Sequence, residues 1–389
     1  MISCQEAERI LLAHPLTPRK ERQPLAHCLG RILAADVSAP LDIPPFDKSA
    51  MDGYAVSAAD PGESFQVVAV VAAGDVPRRV LQAGECAKVM TGAMLPQNTG
   101  RVVKREVCRE ENGRMHIVAF DPNPNILRCG EDIRQGQIVL RRGNCLRAAQ
   151  ISLLASLGLA ETEVFVRPRV GVITTGTELL EPGTPWKPGQ IFNSNIYSLT
   201  AQIRPICGEP QHLGSVPDRR GDIRSAIQTL GETCDLIILS GGVSAGDFDF
   251  VPQVLAEMGI AIHFAKVAVQ PGMPTVFGSW GEKIYFGLPG NPVSTYVIFD
   301  VFIKPFLYRM MGHSFQPLIV KARLGEFYER RKVERTAYVP VSLQGEEACL
   351  LPYHGSAHLL ALTQADGLLA IPAGILRLER GAAVDVRLL

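Results

Sequence analysis

The chain has no formal net charge: its 39 Lys and Arg balance 39 Asp and Glu. No global field therefore draws it to nucleic acid or to anionic lipid, and any polyanionic ligand must be recognised locally, by backbone N–H groups and a few chosen side chains. Its nine cysteines are scattered, odd in number and nowhere spaced C-x-x-C. That pattern argues against a disulfide framework and a structural zinc site and for a reducing compartment; Cys86 and Cys108 read as small hydrophobes. No apolar run reaches membrane-spanning length, and no basic-then-apolar leader opens the chain. A cytoplasmic protein with neither membrane nor nucleic-acid partners is expected. Low-complexity tracts and internal repeats are lacking too. The Walker pattern is missing, and so is G-x-G-x-x-G followed by an acidic residue, so P-loop hydrolysis and dinucleotide binding both lose ground.

What is present describes a folded, multidomain chain. With 389 residues, 47% apolar and 20% charged, it is too long for one average core, and two to four domains are expected. Ser3-Cys4-Gln5-Glu6 has capping-box spacing and predicts a helix to about His14. A second helical pattern covers residues 24–35. Short β-branched pieces follow (FQVVAVVAAG, ECAKVMTG, GRVVKREVC, RMHIVAF), separated by Gly, Pro or Asn. A helix returns with RAAQISLLASLGL from Arg147. At Arg169 strands begin to alternate with helices: RVGVITTG, a helix capped at 193–195, PQHLGSV, a helix over 222–230, DLIILSGG, a helix over 250–258, AIHFAKVAV, KIYFGLPG and a long helix over 292–311. Such alternation predicts an open, mostly parallel α/β sheet. Beyond His313 the pattern turns β-like again, implying a small barrel or sandwich.

In an open parallel sheet, ligands bind beyond the carboxyl ends of the strands. Four chemically loaded turns fall there: ITTGTEL with Glu178, SVPD with Asp218, LSGGVSAGDFDF, and LPGNPVS with Pro289, Asn291 and Pro292. In the third, Ser240, Gly241, Gly242, Ser244 and Gly246 let the backbone approach an anion, with consecutive N–H groups around phosphate oxygens. Asp247 and Asp249 just after it suit Mg²⁺ held against those oxygens. Each turn also has a plain reading. A Gly-rich turn is often structural, Asp218 alone reads as a turn residue, and Glu178 as an acid at a helix start. Lys266 reads as an edge charge, Thr91 as part of a turn, and His354 and His358 as structural or surface residues. Earlier in the chain, PPFDKSAMDGYA (44–55) carries two aspartates and a lysine on a proline-stiffened loop, more than a simple turn needs.

Taken together, PPFDKSAMDGYA, VMTGAMLP, ILRCGEDI, GVITTGTEL, SVPD, LSGGVSAGDFDF and FGLPGNPVS resemble, in order and over nearly the whole chain, the molybdopterin molybdenumtransferase family: the MoeA-type molybdenum insertases, including the E domain of gephyrin. The resemblance implies an α/β plus β multidomain fold. A discontinuous helical linking domain (1–45 and 133–168) would be interrupted by an inserted β domain (46–132), followed by a molybdopterin-binding α/β domain (169–312) and a C-terminal β-barrel-like domain (313–389). It implies a homodimer that inserts molybdate into adenylylated molybdopterin with Mg²⁺-dependent release of AMP. A molybdopterin adenylyltransferase would supply the substrate, and acceptor molybdoenzymes would receive the product. Carried over by motif, Asp52, Glu178, Asp218, Asp249 and Lys266 are expected in catalysis, with Asp247 and Asp249 on the metal. Thr91, Asp132, the Ser240–Gly246 turn, Pro289, Asn291, Pro292, Arg335 and Ser356 are expected to bind substrate, with Asp52, Thr91 and Asp132 reaching the cleft from across the dimer.

The chain departs from the family where K-P-G-K-P is usual, reading Gln270-Pro271-Gly272-Met273-Pro274, and where an Asp is usual it has Gly100. The expectation is that Lys266, Arg335 and Ser356 take over oxyanion binding. Competing readings are a molybdopterin adenylyltransferase or nucleotide pyrophosphatase built on the same α/β domain, and a pterin-binding scaffold without turnover.

Overall fold

The computed structural model describes residues 1–244, 249–353 and 355–389; Gly246, Asp247 and His354 lie outside the described residues. The chain forms two compact units, one of Met1–Gln23, Gly30–Ala34 and Glu163–Leu389, the other of Pro24–Leu29 and Ala35–Thr162.

The α/β part of the first unit is a six-stranded sheet. Its strands are Val170–Thr175 (β1), Gln211–Val216 (β2), Leu236–Ser240 (β3), Ala261–Phe264 (β4), Val276–Trp280 (β5) and Lys283–Leu288 (β6), in the order β2-β1-β3-β6-β5-β4. The pairings β2–β1, β1–β3 and β3–β6 are parallel, while β5 and β4 complete the sheet antiparallel. Every residue of β1 and β3 is buried, as expected of strands covered on both faces. One face packs Ile173, Ile237 and Leu239 against Ile223, Ile227 and Leu230 of helix Arg220–Thr233 (α2) and against Val251, Val254 and Leu255 of helix Val251–Glu257 (α3). The Asn193 side chain caps the helix expected there, Ser194–Cys207 (α1), by accepting from the Ile196 N–H.

The long helix expected over 292–311 exists, but in three pieces. Helix Pro292–Ile298 (α4) passes through a π-turn at Phe299–Ile303 into helix Lys304–Met310. Pro305 has no N–H for the carbonyl four residues back, and its ring crowds that position; a wider turn absorbs the mismatch. The predicted strand AIHFAKVAV also divides: β4 ends at Phe264, and Val269–Gln270 instead pairs with Thr336 and Ala337 of the C-terminal sheet. There, strands Thr336–Gln344, Glu347–Leu350, Ile319–Leu324, Ala383–Leu388 and Gly367–Ile371 close on themselves through a second pairing of the first with the last. Closure leaves few unpaired strand edges.

One expected helix is absent. Within 24–35 only Leu25–His27 forms a single 3₁₀ turn. Leu33 instead makes an antiparallel bridge with Val164, and the burial of Ile32, Leu33 and Ala34 favours extended pairing over a helical stripe.

The second unit is built on a six-stranded sheet. Its strands include Ser64–Val71, Glu85–Val89, Thr99–Lys104 and Arg114–Ile117, as the β-branched runs predict, and also Gly53–Ser57, which begins inside the stretch read as a loop. Among the described residues, no helix is long and apolar enough to cross a membrane.

Candidate active site

Because β2, β1, β3 and β6 run parallel, the turns that follow them leave the same edge of the sheet. A cleft of about 1140 Å³ opens there. Around it stand Glu178 after β1, Asp218 after β2, Ser240 to Ser244 and Asp249 after β3, and Pro289, Asn291 and Pro292 after β6. Arg335 and Ser356 of the C-terminal region line the same cleft.

The turns are tied to one another as well as to their strands. The Thr177 N–H donates to Asp218 Oδ2 at 3.2 Å, joining the first two. Glu178 does not begin a helix; Leu179–Leu180 pairs as a short strand with Ile191–Phe192. Asn195 Nδ2 donates both to Ser240 Oγ, at 2.9 Å, and to the Gly290 carbonyl, at 2.7 Å. Ser240 is 2% exposed, so its hydroxyl is used inside the fold, fastening α1 to the ends of β3 and β6. Asn291 Nδ2 donates to Ser356 Oγ at 2.8 Å, and the Val293 N–H donates to the Ser356 carbonyl at 3.1 Å. These bonds hold the C-terminal segment against the mouth of α4.

The glycines of the third turn have a steric basis. Gly241 has φ +101°, and a Cβ there would lie 2.5 Å from the Thr175 carbonyl oxygen. Only glycine accepts both the conformation and the approach. Beneath the turn, the buried Thr175 hydroxyl has no hydrogen-bond partner among the described residues.

Glu178, Asp218 and Asp249 bring hard carboxylate oxygens to the cleft, with no imidazole or thiolate beside them among the described residues of its lining. Among the described residues, no group of three or more His, Cys, Asp or Glu is close enough to form a metal cage. That donor set fits Mg²⁺, which binds through one or two carboxylates plus substrate phosphate rather than in an all-protein cage.

Four sequence-predicted residues are not on this lining. Lys266 is exposed between β4 and Val269–Gln270, where its carbonyl accepts from the Ile2 N–H at 3.0 Å. Asp52, Thr91 and Asp132 belong to the second compact unit. There the Thr91 N–H and Oγ1 both donate to Asp52 Oδ1, each at 2.7 Å; first the N–H and then the hydroxyl hold the Asp52 carboxyl below its ordinary value. Asp132 is exposed, its N–H bonded to the Ile43 carbonyl at 3.0 Å. The other aspartate of the PPFDKSAMDGYA loop, Asp47, accepts from Arg128 Nη1 at 2.6 Å and from the Cys129 N–H at 2.8 Å. The two carboxylates of that loop therefore differ: Asp47 ties the loop to the Arg128–Cys129 segment, while exposed Asp52 is oriented by Thr91.

Sequence reading missed a basic wall. Arg330, Arg331 and Lys332 line the cleft beside Arg335. Arg330 is only 8% exposed; its Nε, Nη1 and Nη2 donate to the carbonyls of Ile375, Arg335 and Pro372 at 2.7, 2.8 and 2.6 Å. The available signal was the run Arg330-Arg331-Lys332 with Arg335 close behind, which by itself reads as a solvated charged face.

Three family models match the chain: the MoeA N-terminal region (domain I and II) over residues 2–158, the probable molybdopterin binding domain over 171–309, and the MoeA C-terminal region (domain IV) over 322–389. The molybdopterin molybdenumtransferase of Nostoc sp. is 36% identical over 376 residues, covering 92% of this chain and 86% of its own. Molybdopterin molybdenumtransferase 2 of Mycobacterium tuberculosis is 35% identical over 409 residues, covering 99% of each. Among solved structures, the molybdopterin biosynthesis MoeA protein of Pyrococcus horikosii superposes with a TM-score of 0.84 at 32% identity, covering 100% of this chain and 99% of its own.

Proposed function

This chain belongs to the MoeA family, and from that premise we propose that it is a molybdopterin molybdenumtransferase acting in molybdenum cofactor biosynthesis. It inserts molybdate into adenylylated molybdopterin and releases AMP. The observation that carries the reading is the convergence of a glycine turn and the carboxylates of Glu178, Asp218 and Asp249 on one carboxyl edge of the sheet. The family models on both sides of the α/β domain weigh against an adenylyltransferase or pyrophosphatase consisting of that domain alone.

The division of labour follows from residue chemistry. The Gly241 N–H is taken by the Leu288 carbonyl at 3.0 Å, so the N–H groups that follow it, from Gly242 to Ser244, are the ones that would meet the phosphoanhydride, where fixed dipoles stabilise charge without reorganising. Pro289, Asn291 and Pro292 wall the pterin end. Glu178 and Asp218, the latter accepting from the N–H of Thr177 next to Glu178, orient substrate or water at the reacting phosphorus. Asp249 would hold Mg²⁺ against the phosphate oxygens, and the ion supplies neutralisation of the charge that develops as AMP leaves. The homodimer, the cytoplasmic location and the four-region domain division belong to the same proposal. A second copy is the source that the family resemblance implies for Asp52, Thr91 and Asp132. A molybdopterin adenylyltransferase and acceptor molybdoenzymes are the reading's upstream and downstream partners.

The test is AMP release from adenylylated molybdopterin by the purified chain with Mg²⁺, with and without molybdate. Molybdate-stimulated release is expected, and Asp249→Ala is expected to lower it roughly a hundredfold or more. Pterin binding without AMP release would overturn the assignment in favour of a scaffold.

A further inference from the structure

We propose that Arg331 and Lys332 form, together with Arg335, the arm of the cleft that captures the tetrahedral dianion, molybdate or its congener tungstate; this rests on the function proposed above. That reaction brings two anions into one cleft, a phosphoanhydride and an oxyanion. The glycine turn and Asp249 are placed to serve the first. Glu178, Asp218 and Asp249 repel the second, so a dianion entering here needs cations of its own. The turn from Gln270 to Pro274 lines the cleft but is neutral throughout. Lys266 is not on the lining. The cations on the described lining are Arg330, Arg331, Lys332 and Arg335, and three nitrogens of Arg330 are committed to backbone carbonyls.

Arg331 and Lys332 are exposed, and neither makes an ion pair or side-chain hydrogen bond among the described residues. Their backbone, by contrast, is held. Tyr328 and Glu329 pair with Leu378 and Arg377, the Arg330 N–H donates to the Leu376 carbonyl at 3.0 Å, the Gly374 N–H donates to the Val333 carbonyl at 2.8 Å, and the Thr336 N–H donates to the Ala268 carbonyl at 2.9 Å. Two cations without counter-ions among the described residues, carried on a braced segment that lines an acid-bearing cleft, are an anion receiver. A guanidinium supplies a planar fork and an ammonium a compact point charge, and together they suit oxygens at tetrahedral angles.

The experiment is equilibrium dialysis of radiolabelled molybdate against the full chain, wild type beside Arg331→Ala/Lys332→Ala, at low and high ionic strength. AMP release is measured in parallel. The double variant is expected to bind molybdate roughly tenfold or more weakly, and wild-type binding is expected to weaken as salt rises. The charge-retaining exchange Arg331→Lys/Lys332→Arg is expected to restore most of the affinity. In turnover, the KM for molybdate should rise while the KM for the adenylylated pterin holds. Unchanged molybdate binding in the double variant overturns the proposal, and so does a wild-type chain that binds no molybdate at millimolar concentration. Wild-type protein that binds molybdate through this pair yet never releases AMP would overturn the proposed function and leave the anion arm standing.

Discussion

The two walls of the cleft are made in opposite ways. On the α/β side, topology alone gathers the chemistry: four parallel strands end together, and each hands its next residues to one edge. On the C-terminal side the cations sit on an irregular stretch between two short strand pairings, held by main-chain bonds to Leu376 and Gly374 and by the Arg330 guanidinium on the Ile375 and Pro372 carbonyls. The first wall announces itself as motifs, because glycine and acid must stand at set offsets from each strand end. The second needs only positive charge on a fixed support, which many sequences satisfy. A functional wall with strict backbone geometry is thus readable locally, whereas one with loose side-chain demands is not.

Breaking the strict wall should have the largest effect. Gly241→Val places a Cβ 2.5 Å from the Thr175 carbonyl oxygen at φ +101°, and is expected to cost about 2–4 kcal/mol of stability and nearly all AMP release. Urea unfolding and the AMP assay both read it; wild-type behaviour in both would mean that the turn is not sterically restricted. The next effect is within the basic wall. Arg330→Ala leaves three carbonyls without their donor and is expected to cost about 3 kcal/mol. Arg331→Ala/Lys332→Ala should stay within about 0.5 kcal/mol of wild type. Equal urea midpoints for the two variants would erase the distinction between support and receiver.

Smaller still is the seam between the walls. Asn291→Ala removes the 2.8 Å bond to Ser356, for an expected loss of about 1 kcal/mol with a matching rise in substrate KM. An unchanged KM would show that this bond does not shape the cleft. The smallest effect lies in the second compact unit. Asp52 is held below its ordinary value by Thr91, so the associated stabilisation is present above the ordinary carboxyl range and fades as pH falls through the lowered value. Thr91→Val deletes the hydroxyl donor, and the Asp52 titration, followed by NMR, is expected to move up toward the ordinary carboxyl value. A curve that does not move would assign the shift to the Thr91 N–H alone.

Much of the α/β domain was legible because its strands are continuous apolar runs bounded by turns. Helix α1 was marked by the Asn193 cap, and the third turn by its glycines. Strand β5 escaped notice because TVFGSW lies close to the neighbouring run KIYFGLPG and offers no turn signal beyond Trp280-Gly281. The expected helix over 24–35 failed for a non-local reason: the Leu33 bridge to Val164 cannot be foreseen from spacing. The gap between Lys266 and the cleft has the same origin, since Val269–Gln270 leaves the α/β sheet to join strand Thr336–Gln344.

The sequence by itself determined the kind of ligand and the machinery that meets it: an anion received by glycine-lined turns at strand ends, with carboxylates beside them. These are local demands on φ and on residue type. Only the tertiary structure decided that Arg331 and Lys332 share a cleft with Glu178, Asp218 and Asp249, and that Lys266 does not. Where a flexible charged side chain ends up depends on which distant backbone groups brace its segment, and spacing along the chain carries no record of that.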